Sequence, residues 1–110
     1  MVEKTGKSKE GVQMSFIHLA SMESAWRGYE YYKSGKVKNC EKITPDQYEG
    51  MVSGSRKKPY QVTIDLKHPR SSECNCPHAN GRRVVCKHMV ALYFTAFPKE
   101  AEAYHNAVME

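Results

Sequence analysis

Long apolar runs are missing from this chain: none approaches the ~20 residues a membrane span needs. Met1 to Gly11 are polar, carry Lys4, Lys7 and Lys9, and are followed by no apolar h-region, so no secretory signal is expected. Residues 1–13 read as a flexible tail, and the expected setting is intracellular, cytoplasmic if the source is a prokaryote. Internal repeats and low-complexity segments are absent as well. So are the usual marks of catalysis: paired carboxylates at a suggestive spacing, a nucleophile elbow, a phosphate-binding glycine-rich loop. Gly6-Lys7-Ser8 lacks both the upstream glycine and the following helix of such a loop. The chain is therefore expected not to be an enzyme, with no catalytic residues and no small-molecule substrate.

Acidic residues are scarce where it matters. Residues 51–98 hold eight Lys/Arg but only Asp65 and Glu73 as acids, whereas residues 1–50 are nearly balanced. The net charge of +5 over 110 residues is thus concentrated in the segment that also holds three of the four cysteines. Such a basic excess suits a polyanionic partner, or a solvated surface that keeps the protein soluble. The length is that of one domain.

Apolar spacing divides the chain into elements. Phe16, Leu19, Met22, Trp26, Tyr29 and Tyr32 recur every three or four residues, which predicts a helix over 14–33, closed by Gly35. Gly28 inside it suggests that another element packs closely there. Three strands are expected next, Val37 to Thr44, Gln47 to Gly54 and Tyr60 to Leu66, the last with strict alternation. Thr44-Pro45-Asp46 supplies a turn and Ser55 to Pro59 a basic loop, so the strands should form an antiparallel meander. A second helix is expected over 87–97 and, after Pro98, a short third over 99–109, with Ala101, Tyr104 and Val108 on one face. The fold class is α+β. Residues 14–72 would supply a helix plus sheet, and residues 73–110 a cysteine-rich unit and the C-terminal helices, packed together as one compact body.

The cysteine-rich unit reads Cys74-Asn75-Cys76, nine residues, then Cys86-Lys87-His88. Three thiols and an imidazole suit tetrahedral zinc. In extended chain, residues two apart point the same way, so Cys74 and Cys76 can face one ion while Asn75 faces away. In a helix they diverge by about 200°, so Cys86 must precede the second helix and His88 lie in its first turn. Asn80-Gly81 reads as the tight turn between the halves. A disulfide framework fits poorly, because Cys74 and Cys76 are too close to pair comfortably. A redox site is also disfavoured, since no Cys-x-x-Cys precedes a helix. Four protein ligands make a closed, structural site rather than a catalytic one. His78 is the main alternative ligand. Cys40, in the first strand, reads as a small buried side chain, and His18, His68 and His105 as surface residues.

With these residues in place the segment resembles the SWIM-type zinc finger: Cys-x-Cys, a variable spacer, Cys-x-His and an apolar helix. Two upstream segments, Arg27 to Val37 (Arg-Gly-x-x-Tyr-Tyr-x-x-Gly-x-Val) and Gly54 to Leu66, resemble those preceding the finger in many prokaryotic members. The resemblance extends over about residues 16–97. It implies one structural Zn2+ held by Cys74, Cys76, Cys86 and His88, in a binding module. The family is proposed to bind DNA or other proteins, and it occurs beside Swi/Snf-type helicase-like ATPases, in Mutator-type transposases and in some signalling kinases.

Two partners follow from these features. DNA is the first, through Arg56, Lys57 and Lys58 in the strand loop and Arg82, Arg83 and Lys87 around the finger's turn and helix start. Base-specific readout is not expected, because the helix after His88 is mostly apolar. The alternative is a protein-interaction module. Trp26, Tyr29, Tyr31, Tyr32, Tyr93, Phe94, Phe97 and Tyr104 are many aromatics for one small core, and any left exposed would mark a partner surface.

Overall fold

A computed structural model describes residues 16–109; the tail expected over 1–13 lies outside the described residues. The order is α1 (Met22–Lys33), β1 (Val37–Thr44), β2 (Gln47–Val52), β3 (Tyr60–Asp65), a 3-10 turn (Pro69–Ser71), β4 (Glu73–Cys74), α2 (Lys87–Ala96) and α3 (Pro98–Met109). The strands form one antiparallel sheet in the order β1-β2-β3-β4. The α+β expectation holds. No helix among the described residues is long and apolar enough to cross a membrane.

The first helix differs from expectation. Residues 14 and 15 lie outside the described residues; 16–18 are helical, the helix breaks over 19–21, and α1 starts anew at Met22, because Ser21 is extended and its hydroxyl accepts from the Ser24 N–H at 3.0 Å. The break shifts the phase of the apolar face. Met22 is 90% exposed, whereas Phe16 belongs to the core and stacks on Tyr93 at 5.2 Å. At the far end, the Gly35 N–H bonds to the Tyr32 carbonyl and the Lys36 N–H to the Tyr31 carbonyl, with Gly35 at φ +70°. This pair of bonds is the Schellman pattern, which satisfies carbonyls the helix leaves free.

The sheet has one strand more than the expected meander. β4 is only two residues long, pairing Val62 with Cys74 and Thr63 with Glu73. Two residues are too few to display an alternating pattern, so β3's pairing rather than local sequence defines this strand. β3 itself alternates as expected, with Tyr60, Val62 and Ile64 inward. β1 is irregular: Asn39 and Cys40 together stand opposite Gly50, and Asn39 takes φ +55°. This is a β-bulge with an asparagine at the left-handed position.

α2 is the hub. His88 through Phe94 are all buried, and the helix packs against both α1 and strands β1–β3. A helix apolar all round belongs in the interior. α1 comes so near that a Cβ on Gly28 would lie 2.5 Å from Val90 Cβ. That is the close packing the glycine suggested. α3 starts at Pro98, whose lost N–H costs nothing at a helix's first position. It docks through Ala101 and Tyr104, but Val108, expected on the same face, is exposed. Tyr104 lies 5.2 Å from Phe94, and His105 stacks on Tyr29 at 5.1 Å. His105 is therefore half-buried rather than a surface residue.

Candidate metal centre

Each donor of the cysteine cluster reaches the centre by a different local device. Cys74 is the last residue of β4, and Asn75 continues the pairing: its N–H bonds to the Gln61 carbonyl at 3.4 Å and its Oδ1 accepts from the Gln61 N–H at 3.0 Å. Cys74 and Cys76 are buried while Asn75 between them is exposed, as the two-residue alternation requires. After Cys76 the chain turns twice. The Ala79 and Asn80 N–H groups bond to the Cys76 carbonyl, and the Arg82 N–H bonds to the Ala79 carbonyl at 2.9 Å. Gly81 in that turn has φ +78°, a value glycine accepts without strain. Cys86 is extended, at φ −91° and ψ 171°, and caps α2, so His88 falls in the first helical turn.

The four donor atoms, Sγ of Cys74, Cys76 and Cys86 and a ring nitrogen of His88, all lie within 4.8 Å of one another, and all four residues are buried. His88 turns Nδ1 toward the thiols, 3.6 Å from Cys74 Sγ and 3.9 Å from Cys86 Sγ. Around a tetrahedral zinc, with Zn–S near 2.3 Å and Zn–N near 2.0 Å, neighbouring donors lie roughly 3.5–3.8 Å apart. The cluster of three thiols and one imidazole therefore fits one structural zinc ion. All four cysteines of the chain are free thiols. Cys86 favours the thiolate, first through the hydrogen bond it accepts from Cys74 and further through His88 and the Met89 N–H; the same bond holds Cys74 protonated. An ion would replace that shared proton, because thiols bind zinc as thiolates.

His78 is exposed and outside the cluster, and Cys40 is half-buried in β1 and likewise outside it. Burial pushes the Cys40 thiol up. His88 Nε2 is buried without a hydrogen-bond partner among the described residues. Metal-binding histidines ordinarily donate from their second nitrogen. Here aromatic packing orients the ring instead: Tyr60 lies 4.4 Å away and Tyr31 meets it edge-on at 5.5 Å.

The basic residues fall into two groups around this centre. Arg56 folds back on its own loop, donating from Nε to the Lys58 carbonyl at 2.9 Å and from Nη2 to the Pro59 carbonyl at 3.2 Å. Its guanidinium lies 4.2 Å over the Tyr60 ring. Lys57 and Lys58 are exposed beside it. Lys87 is half-buried, its ammonium 5.5 Å from the Tyr31 ring, with Lys36 at 5.8 Å from the same ring. The second group lines an open groove of about 600 Å³ between β3, β4 and the 79–83 turn. Arg82 and Arg83 are there, joined by Arg70. Sequence reasoning passed over Lys36 and Arg70, which stand outside the finger's turn. Counting every cation of the basic segment, rather than those next to a motif, would have found Arg70.

The comparisons agree with the centre and go no further. The SWIM zinc finger family model matches residues 60–97, a stretch that includes all four donors. The Arg27 to Val37 segment lies outside that match. No curated protein and no solved structure matches the chain.

Proposed function

We propose that the chain binds DNA through the basic residues around the finger, Arg56, Lys57, Lys58, Arg82, Arg83 and Lys87, starting from the match of residues 60–97 to the SWIM zinc finger, a zinc-binding module rather than a catalytic domain. The zinc has a scaffolding task. It ties β4 to the start of α2, and in small zinc peptides such an ion contributes an apparent ~10–16 kcal/mol to folding. The cations do the binding.

The observation that carries this proposal is the charge of the finger's own segment, eight Lys/Arg against two acids over residues 51–98. None of the six basic residues forms an ion pair with a carboxylate among the described residues. Cations that no carboxylate neutralises are available to phosphate oxygens. α2 contributes no base-reading face, because it is buried, so contact with the DNA backbone is the mode that fits. The aromatics that favoured a protein partner all pack in or against the core. The four free thiols suit a reducing, intracellular setting. The similarity of residues 27–37 to the segment preceding the finger in members beside Swi/Snf-type ATPases supports a place in such a machine.

Zinc-loaded protein titrated with a labelled duplex at several salt concentrations tests this. Six phosphate contacts give a slope of log K against log salt of roughly −5. Absence of binding, or a slope near zero, would refute the DNA assignment and favour a protein partner through an apolar surface.

A further inference from the structure

We propose that the groove between β3, β4 and the 79–83 turn holds the sugar–phosphate backbone of one DNA strand, with Arg70 as a contact residue equal to Arg82 and Arg83; this rests on the DNA-binding proposal above. The groove combines a concave surface, exposed guanidinium groups and neutral hydrogen-bond donors. Its volume of about 600 Å³ lies in the range of a built ligand site. Three guanidinium groups border it against one carboxylate, Glu73.

Two of those groups are anchored at one corner only. Arg70 donates from Nη1 to the Arg83 carbonyl at 3.3 Å, and Arg82 from Nη1 to the His78 carbonyl at 3.5 Å. A guanidinium has five N–H donors, so each keeps most of them for a ligand while one bond limits its wandering. Asn75 is placed similarly. Its Oδ1 accepts from the Gln61 N–H, and its amide N–H groups, on an exposed residue of the groove lining, have no hydrogen-bond partner among the described residues. Planar cations with amide donors between them match a phosphodiester. No aromatic ring lines the groove, so bases have nothing to stack on, and recognition is of backbone rather than base. The β2–β3 loop is a poorer candidate. Arg56 already gives donors from Nε and Nη2 to loop carbonyls and covers Tyr60 with its face.

The experiment compares variants of the full zinc-loaded chain by fluorescence anisotropy on short duplexes of two unrelated sequences. Arg70→Gln and Arg82→Gln each weaken binding about 5–10-fold near 0.1 M salt and lower the salt slope by about 1, equally on both sequences. Arg70→Lys keeps the slope. Glu73→Gln changes affinity in the opposite direction and tightens binding. A duplex carrying neutral methylphosphonate linkages on one strand binds more weakly. If Arg70→Gln disturbed the turn and released zinc, the Glu73→Gln and Arg82→Gln variants would still decide between the groove and the β2–β3 loop. Parental affinity in the Arg70, Arg82 and Glu73 variants, with loss in a combined Arg56→Gln, Lys57→Gln, Lys58→Gln variant, overturns the groove while leaving DNA binding intact. Failure of the unmodified protein to bind either duplex overturns both.

Discussion

Replacing Gly28 by alanine should destabilise this protein, although alanine is the better helix former. Intrinsic propensity alone favours the substitution by about 1 kcal/mol. Against this, the new Cβ would stand 2.5 Å from both Cβ and Cγ1 of Val90 and 2.8 Å from the Lys87 carbonyl oxygen. Carbon atoms pack at about 3.5–4.0 Å, so α1 would have to retreat by roughly 1 Å. A backbone oxygen and the Cβ of a β-branched residue cannot rotate out of the way. Overpacking costs about 1–3 kcal/mol, and the upper part of that range applies here, leaving a net loss of about 1–2 kcal/mol. For a domain of this size that is a fall in Tm of about 4–9 °C. The single tryptophan, Trp26, stacks on Tyr29 at 5.5 Å in the same helix, so its fluorescence reports the unfolding. The strained turn, Lys87 to Val90, carries His88, so zinc affinity in a chelator competition should fall as well. In a Val90→Ala background the same change should cost less, because the Cγ1 clash is gone. A Gly28→Ala protein as stable as its parent, in either background, would refute the close helix packing.

Three further outcomes follow from single side chains. The Tyr93 hydroxyl is buried with no hydrogen-bond partner among the described residues, and burial, with the Glu100 charge, pushes its pKa up; Tyr93→Phe should therefore match or exceed the parent in urea unfolding, by up to about 1 kcal/mol. The Asp65 carboxyl is held below the usual range, first by the His68 N–H at 2.9 Å and then by Gln47 and the Lys67 N–H. Its stabilisation is present above the unfolded value of about 3.9 and is lost as pH falls through the lower folded value, so the penalty of Asp65→Asn should be seen at neutral pH and vanish in acid. An NMR titration of Asp65 with an ordinary midpoint would contradict this. Zinc-loaded protein should expose one thiol, Cys40, to slow modification, and all four after chelation; rapid modification of Cys74, Cys76 or Cys86 with zinc in excess would exclude them as ligands.

The site was more legible in the sequence than the fold around it. Cys-x-Cys and Cys-x-His each constrain the backbone, and the chain shows both consequences: burial alternates from Cys74 through exposed Asn75 to Cys76, and Cys86 stands at the N-cap of α2. β3 was legible for a similar reason, since strict alternation leaves one face for the core. The start of α1 was not. Phe16, Leu19 and Met22 continue the helical spacing straight across Ser21, and periodicity cannot see a capping hydroxyl that restarts the phase. The contrary signal was a lone serine cap, with serine rather than Glu or Gln three residues on to complete a capping box. β4 was invisible because tertiary pairing, not composition, makes a two-residue strand. The split of the basic residues was hidden too. Loop geometry decides that Arg56 lies on Tyr60 while Arg70 joins Arg82 and Arg83.

The central claim is that Cys74, Cys76, Cys86 and His88 close around one structural zinc ion. Native mass spectrometry on the chain and on its single alanine variants at these four positions tests it most directly, with His78→Ala and Cys40→Ala alongside. The account predicts one zinc per chain, lost in each of the four variants and kept in the other two. A metal-free parent protein, or a site that survives His88→Ala but needs His78, would contradict it.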